Sequence, residues 1–334
     1  MTVMTAHALP ATMRAVHRLK RRAGSLLSVR RRPVPRPAPH EVVLRVHAAG
    51  LNRKDVQMHQ RPHQTTGTGF GFDVCGEVLA LGDGVDDLTL GERAWGFLDG
   101  AAGGTVAEFV AMPRAWMSPA PGSCSVIEAA SLPLVASTAL QLLRDVARLR
   151  PGEHVLVKGA RGGVGRATVQ LACAMGARVT AWIGRRSARA LEGVGAHAVV
   201  DHDAVEAGAL HEGVDVFVDC VGDTGLWRHR PLFSPAGRWI AVAPNRTVFA
   251  LAAVSPLLRP LRVPRLQYVI VRPRASDLAH LATLVDDGAL APHVGEVLPM
   301  HAANIALRLL ATRQQRGKVV IAVSREAQAG EVFP

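Results

Sequence analysis

The sequence has few cysteines, few aromatic residues and no long apolar run. Its four cysteines, Cys75, Cys124, Cys173 and Cys220, are far apart and form no Cys-x-x-Cys pair. This spacing argues against a disulfide scaffold and against a cysteine-rich zinc lobe. No apolar run reaches the roughly 18 residues that indicate a membrane-spanning helix, and the N-terminus does not resemble a signal peptide. We therefore expect a cytoplasmic protein with no membrane partner.

Acidic residues are absent from two long stretches of a chain whose formal net charge is +12. Residues 13–40 and 224–276 contain basic residues but no aspartate or glutamate. Such charge can attract nucleic acid or a smaller anion. A chain with a single tyrosine, however, offers no aromatic platform for single-stranded nucleic acid. We predict no nucleic-acid partner and interpret the basic faces mainly as solvated, while an anionic substrate or partner stays open.

Short apolar runs fill the first third of the chain. The segment 41–50 alternates in the manner of a strand and ends at a glycine, and further runs at 73–81, 93–97 and 105–112 are separated by glycine and aspartate. Closely spaced strands with glycine turns predict a small, irregular β-barrel.

From His154 onward the pattern changes to strands that alternate with helices. A strand at 154–160 precedes a glycine loop, an amphipathic helix at 164–175 and a strand at 178–183. Strands are also predicted at 198–200, 214–220 and 239–243, and helices at 127–130 and 137–149 precede the first of these strands. Alternating units of this length predict an α/β fold with a parallel sheet. The segments 267–271, 277–287 and 318–323 are predicted to return to the first domain as strand, helix and strand.

The strongest motif is the loop that follows the strand at 154–160. Four glycines, Gly159, Gly162, Gly163 and Gly165, allow a tight turn and a close approach of the backbone to a phosphate. The helix that begins there directs its N-terminal N–H groups at the same point. Because the glycines lie between a strand and a helix, the loop predicts a dinucleotide site.

The end of the next strand indicates which dinucleotide binds. An NAD site has an acidic residue there, which accepts from the ribose 2′-hydroxyl. Here the strand is followed by Gly184, Arg185, Arg186 and Ser187, with no acid. Two arginines suit a 2′-phosphate, so we predict NADPH as the cofactor.

Several motifs together resemble the medium-chain dehydrogenase/reductase superfamily, in its zinc-free, quinone oxidoreductase-like branch. The matching segments, in chain order, are 13–16, 41–51, 71–78, 88–94, 107–110, 132–133, 137–141, 150–153, 160–165, 215–222 and 317–320. The resemblance implies a GroES-like β-barrel from residues 1–125 and 265–334 and a Rossmann domain, a doubly wound parallel sheet, from residues 126–264. It also implies a homodimer.

Zinc-dependent members of this family carry a cysteine and a Gly-His-Glu triplet at two positions of the barrel. Here those positions hold Leu51-Asn52 and Gly71-Phe72-Asp73. A catalytic zinc ion needs three protein ligands, so no metal site is predicted.

The resemblance also assigns cofactor-binding residues one by one. The loop residues Gly162, Gly163 and Val164 match the pyrophosphate site. Asn52 and Thr138 match residues beside the nicotinamide. The other residues that match cofactor-binding positions are Arg185, Arg186, His202, Val221 and Lys318.

Candidate catalytic residues are fewer. Asn52 and Asp55 are named for this role, although Asp55 also suits a structural hydrogen bond, and no proton donor is evident. Without a metal to stabilise an alkoxide, the favoured reaction is NADPH-dependent reduction of a quinone or an α,β-unsaturated carbonyl compound, whose product anion is delocalised. The substrate is a small molecule, and an anionic or carrier-bound one stays open. A dinucleotide-binding homologue that steers a non-redox step such as cyclisation, or a non-catalytic binding protein, is the alternative.

Overall fold

The computed structural model describes residues 10–21, 24–60, 69–100, 103–184, 194–201, 213–222, 225–242, 245–261, 263–313, 315–324 and 327. Within them the strands are β1 Thr12–Arg21, β2 Gly24–Pro33, β3 Glu41–Leu51, β4 Asp73–Leu81, β5 Arg93–Phe97, β6 Phe109–Pro113, β7 Met117–Pro119, β8 His154–Lys158, β9 Arg178–Ile183, β10 Ala198–Asp201, β11 Val214–Asp219, β12 Phe233–Ala241, β13 Arg265–Tyr268, β14 Val294–Pro299 and β15 Lys318–Ala322. The α-helices are α1 Arg53–Gln60, α2 Val126–Ala130, α3 Pro133–Gln141, α4 Gly163–Ala174, α5 Leu226–His229, α6 Arg246–Val254, α7 Ala275–Asp286 and α8 Ala303–Thr312.

The described chain forms two compact units. The β unit comprises described residues within 1–134, 273–287 and 292–334, and the α/β unit those within 135–272 and 288–291. The chain therefore passes from the β unit to the α/β unit after residue 134 and returns after residue 272. Both points are later in the chain than the predicted domain limits at 125 and 264.

The α/β unit is built on a six-stranded parallel sheet. Its strand order is β10-β9-β8-β11-β12-β13, the arrangement of a doubly wound dinucleotide-binding fold. The buried strand segments are rich in valine, as strands covered on both faces usually are. Phe217 of β11 packs on Trp239 of β12, with ring centroids 4.8 Å apart, in the apolar core of this unit.

The β unit is mostly antiparallel. Its larger sheet has the order β14-β15-β3-β4-β5-β7, with β6 also paired to β3, and β1 and β2 form a separate hairpin. Only β14 and β15 are parallel among the pairs of this sheet in the described residues. Strand β15, from the end of the chain, pairs with β3 and so ties the two chain ends together. The predicted fold class, a Rossmann sheet with a GroES-like β domain, is confirmed.

One predicted segment lies in the other unit. The strand expected at 267–271, in the block 265–334 assigned to the barrel, is β13, the sixth strand of the Rossmann sheet. That part of the prediction is wrong. Leu266 is buried in the same apolar cluster as Trp239, and this packing keeps β13 beside β12. The helix and the final strand predicted after it, α7 and β15, do belong to the β unit.

The helix expected at 137–149 also differs in form. It begins earlier, at Pro133, a residue well suited to the first helical position. Its last part, Leu142–Ala147, is a π-helix, and it ends at Arg148, whose backbone is left-handed with φ 50° and ψ 53°. Segments of π-helix are rare in proteins, and many of those that occur are at functional sites.

Candidate functional site

The glycine loop of the α/β unit joins β8 to α4. Gly159 has a φ of +79°, which favours glycine. A Cβ atom at Gly165 would lie 2.3 Å from the Gly159 carbonyl oxygen, so only glycine lets α4 begin this close to the loop. By contrast, a Cβ at Gly162 would meet only that same oxygen, at 3.4 Å. Gly162 therefore faces open space at the start of the helix, beside the N–H groups of Gly163 and Val164.

A second loop follows β11, the strand next to β8. Asp219 accepts hydrogen bonds from the N–H groups of Val221, at 2.9 Å, and Gly222, at 3.0 Å, which fixes a tight turn. Gly222 has a φ of +93° and no atom within 4 Å of a Cβ built on it. The Val221 side chain lies against Gly159, so the two loops are neighbours.

The two loops flank the point where the strand order of the sheet reverses. Ligands of such sheets bind there, outside the carboxyl ends of the strands. Open space over Gly162 and Gly222 and the N-terminus of α4 fit the pyrophosphate of a dinucleotide. The residues present therefore fit the predicted cofactor.

The remaining predicted cofactor residues of this unit divide into two groups. Thr138 is buried in α3. Arg185, Arg186 and His202, expected at the 2′-phosphate, lie outside the described residues. A basic side chain that was not predicted, Lys158, places its Nζ 4.2 Å from the centre of the Trp182 ring, at the carboxyl ends of β8 and β9.

In the β unit, a buried polar cluster joins the end of β3 to the first residues of β4 and β15. Lys318 Nζ donates to Asn52 Oδ1 at 2.6 Å and approaches Asp73 Oδ2 at 3.2 Å. Asn52 Nδ2 donates to the same Asp73 oxygen at 2.9 Å, and Asp73 Oδ1 accepts from the Leu134 N–H at 2.8 Å. Burial raises the pKa of Asp73, while the Lys318 ammonium and the Asn52 hydrogen bond lower it in part.

The structure thus brings together two of the predicted cofactor residues, Asn52 and Lys318. Both polar atoms of the Asn52 amide are used inside the cluster. Lys318 Nζ has two partners there, and its side chain is 8% exposed. The cluster holds three separate strands together, and it fixes the orientation of the Asn52 amide.

Asp55 lies beside this cluster in the first turn of α1. Its Oδ2 accepts from the Asn52 N–H at 2.7 Å and its Oδ1 from the Gly71 N–H at 3.0 Å. Burial raises the pKa of Asp55 to about 7, with a further rise from Asp73 and partial compensation by the two backbone donors and by Lys318. A carboxyl group that titrates near neutrality suits proton transfer, and its contact with the Asn52 N–H also caps the start of α1.

The segments matched to the zinc ligands of zinc-dependent dehydrogenases, Leu51-Asn52 and Gly71-Phe72-Asp73, are buried here and include two apolar side chains. Leu51 and Phe72 are each 1% exposed, and Lys54 Nζ lies 4.2 Å from the centre of the Phe72 ring. Within the part of the chain that the structure describes, no three His, Cys, Asp or Glu side chains are grouped closely enough to hold a metal ion. Nor does any helix of the described residues have the length and hydropathy to span a membrane.

Sequence reasoning overlooked two acids that organise these sites. Asp73 lies where zinc-dependent relatives have a glutamate, and Asp219 lies in one of the segments that match the family. Each is an acid at one end of a mostly apolar strand and is fully buried. A buried carboxylate needs partners, so an acid in such a run is itself an indication of a polar site.

Comparison with known proteins agrees with this geometry. Residues 38–122 match the model described as "Alcohol dehydrogenase GroES-like domain", and residues 194–321 match "Zinc-binding dehydrogenase". The chain is 29% identical to a chloroplast envelope quinone oxidoreductase homolog of Arabidopsis thaliana, over 86% of this chain and 92% of the relative. It is 32% identical to a chloroplastic quinone-oxidoreductase homolog of Spinacia oleracea, over 71% of this chain and 79% of the relative.

A solved structure extends the likeness to three dimensions. The quinone oxidoreductase from Coxiella burnetii superposes with a TM-score of 0.84 and 25% identity, covering 94% of this chain and all of the other. The glycine loop, the sheet order and these similarities together establish that the chain belongs to the medium-chain dehydrogenase/reductase superfamily, in its quinone oxidoreductase-like branch.

Proposed function

We propose that this protein is an NADPH-dependent, zinc-independent oxidoreductase that reduces a quinone or an α,β-unsaturated carbonyl compound. The observation that carries the proposal is the open glycine cradle at the switch point of the Rossmann sheet, formed by Gly162 and Gly222. The family to which the chain belongs adds independent support. When bound, reduced nicotinamide supplies a hydride.

The residues of the α/β unit bind and orient the dinucleotide in this proposal. The N–H groups of Gly163 and Val164, at the start of α4, face the pyrophosphate, and Gly162 leaves room for it. Arg185 and Arg186 grip the 2′-phosphate, a role that rests on the sequence alone. Phosphate recognition by arginine is charge-assisted and often bidentate, which favours NADPH over NADH.

The proposed reaction requires few catalytic groups from the protein. Hydride addition to a quinone or an enone gives a delocalised phenolate or enolate, which needs hydrogen bonds and a proton rather than a metal. The apolar side chains of Leu51 and Phe72, at the places of the zinc ligands, are consistent with this reaction. Asp55, with a pKa raised to about 7, is the candidate proton source. Asn52, held by Asp73 and Lys318, is the candidate hydrogen-bond donor through the second N–H of its amide group.

The direct test is consumption of NADPH with a panel of quinones and enones, before and after treatment with a chelator. We expect turnover with at least one acceptor class, unchanged by the chelator, and no stoichiometric zinc by elemental analysis. About one zinc per chain, or loss of activity on chelation, would contradict zinc independence. NADPH binding without turnover of any acceptor would overturn the reductase and favour the non-redox alternative.

The identity of the substrate has its own test. An anionic or carrier-bound substrate predicts turnover that weakens with salt, because screening reduces attraction to the basic surface. A neutral enone and its coenzyme A-linked counterpart, assayed at low and high salt, separate the two cases. Equal salt dependence would remove the anionic substrate. The homodimer and the cytoplasmic location stay proposals, checked by light scattering and by cell fractionation.

A further inference from the structure

A cavity of the α/β unit lies at the amino ends of its strands, away from the glycine loop. It has a volume of about 300 Å³ and is lined by Arg148, Arg238 and Arg265 together with Ala236, Gly237 and Gln267. We call it the arginine pocket. Arg238 and Arg265 face each other in the register of β12 and β13, whose opposite, carboxyl ends lie on the glycine-loop side of the sheet.

An irregular strand forms one wall of the pocket. In the pairing of β11 with β12, Val214 is opposite Phe233 and Val216 is opposite Arg238, so residues 234–237 bulge out of the ladder. The bulge ends in Ala236 and Gly237, which line the pocket between the arginines. Bulges are over-represented next to functional sites, where they redirect side chains.

The opposite wall is the end of the π-helix. Arg148 closes it in the left-handed conformation, where glycine is the usual residue. A left-handed residue other than glycine carries a conformational cost. The Arg148 side chain is exposed.

The acidic side chains at this pocket, which would repel an anion, are already paired with arginines. Arg238 forms a two-pronged ion pair with Glu153, at 3.0 and 2.6 Å, and donates from Nε to the Ala147 carbonyl at 2.6 Å. The one acid that lines the pocket among the described residues, Asp145, is paired with Arg144 at 2.6 Å.

The guanidinium groups of two arginines in the pocket are not used in such pairs. Within the described residues, the side chains of Arg148 and Arg265 make no ion pair and no hydrogen bond. Each presents a planar fork of N–H donors, the geometry that matches phosphate oxygens. The cavity volume is at the lower end of the range for small-molecule sites.

We propose that the arginine pocket binds a small phosphate-bearing molecule, at a site separate from the dinucleotide crevice. The ligand is a phosphomonoester or a pyrophosphate, held by Arg148 and Arg265. It lies next to Arg238, whose side chain is fixed by its ion pair. This proposal does not depend on the reductase activity, since none of these residues lies at the carboxyl ends of the strands.

Calorimetric titration with inorganic pyrophosphate at low salt tests the site. Because pyrophosphate also suits the glycine loop, the comparison between variants is what isolates the pocket. We expect the double variant Arg148→Ala with Arg265→Ala to lose one binding event or to bind at least about tenfold more weakly. The control is Arg150→Ala with Arg178→Ala, which removes the same charge from exposed residues that also lie at the amino ends of the strands.

A second variant separates binding from folding. Arg148→Gly removes the guanidinium but suits the left-handed backbone, so its unfolding midpoint should equal or exceed that of the unmodified protein while pyrophosphate binding weakens. Unchanged binding in the double variant would overturn the proposal. An equal loss in the control pair would do so as well, because it would assign the attraction to diffuse surface charge.

Discussion

The two polar sites of this protein differ in what their polar groups face. In the β unit, Asn52, Asp73 and Lys318 are buried and hydrogen-bonded to one another. In the α/β unit, Gly162 and Gly222 present backbone to open space. The first arrangement stabilises a fold, and the second leaves room for the proposed dinucleotide. Both contain residues predicted to bind the cofactor, so a match to a family position does not by itself say which of the two tasks a residue performs.

The largest expected effect on stability is in the buried cluster of the β unit. Replacing Lys318 with methionine leaves Asp73 buried without its cation, and breaking a buried pair in this way costs about 3–5 kcal/mol of unfolding free energy. Urea denaturation measures the loss. Arg316→Met, at an exposed residue close by in the chain, is the control. The double variant Lys318→Met with Asp73→Asn should recover part of the loss, and a single variant as stable as the control would contradict a fastening role.

A pH dependence should come from Asp55. Its pKa is raised from 3.8 to about 7, so the folded state holds a proton that the unfolded state releases at lower pH. Its contribution to stability is therefore present below pH 4, falls as the pH rises to 7, and is constant above that. One pKa unit corresponds to about 1.4 kcal/mol, which makes the fall on the order of a few kcal/mol.

The Asp55→Asn variant isolates this contribution, because the amide does not titrate. Its stability relative to the unmodified protein should improve steadily between pH 4 and 7 in chemical denaturation. Asp86→Asn, at an exposed carboxylate, is the control. A relative stability that stays flat over this range would show that Asp55 is not perturbed by burial.

The glycine loop offers a contrast within the open site. Gly165→Ala places a methyl group 2.3 Å from a backbone oxygen, and overpacking of this kind costs about 1–3 kcal/mol of stability. Gly162→Ala meets little inside the protein, so its stability should fall by at most about 1 kcal/mol. Because that methyl group would occupy the space over the start of α4, NADPH affinity should fall about tenfold or more, a loss of at least about 1.4 kcal/mol. Thermal unfolding and NADPH titration measure the two effects, and normal affinity in Gly162→Ala would remove the loop from the binding site.

Local patterns in the sequence predict the sheet of the α/β unit well. The strand Arg178–Ile183 has its predicted limits, and the glycine loop lies between strand and helix as expected, because glycine spacing and apolar runs are local features. The placement of β13 was not predictable in this way, because its partner β12 is chosen by packing around Trp239.

The polar sites were predictable in part. Lys318 and Asp73 are 245 residues apart in the chain, and no spacing rule connects them. Their hydrogen bonds appear only when β15 returns to β3. The arginine pocket likewise depends on a bulge in β12 and a π-helix, neither of which has a distinct sequence pattern.

The most direct test of the open site as an NADPH site is a pair of titrations with NADPH and NADH. Arg185 and Arg186, with no acid at the end of the second Rossmann strand, predict that NADPH binds at least about tenfold more tightly, a difference of about 1.4 kcal/mol. Replacing both arginines with alanine should equalise the two affinities without changing stability. Equal affinities in the unmodified protein, or no binding of either dinucleotide, would contradict the account.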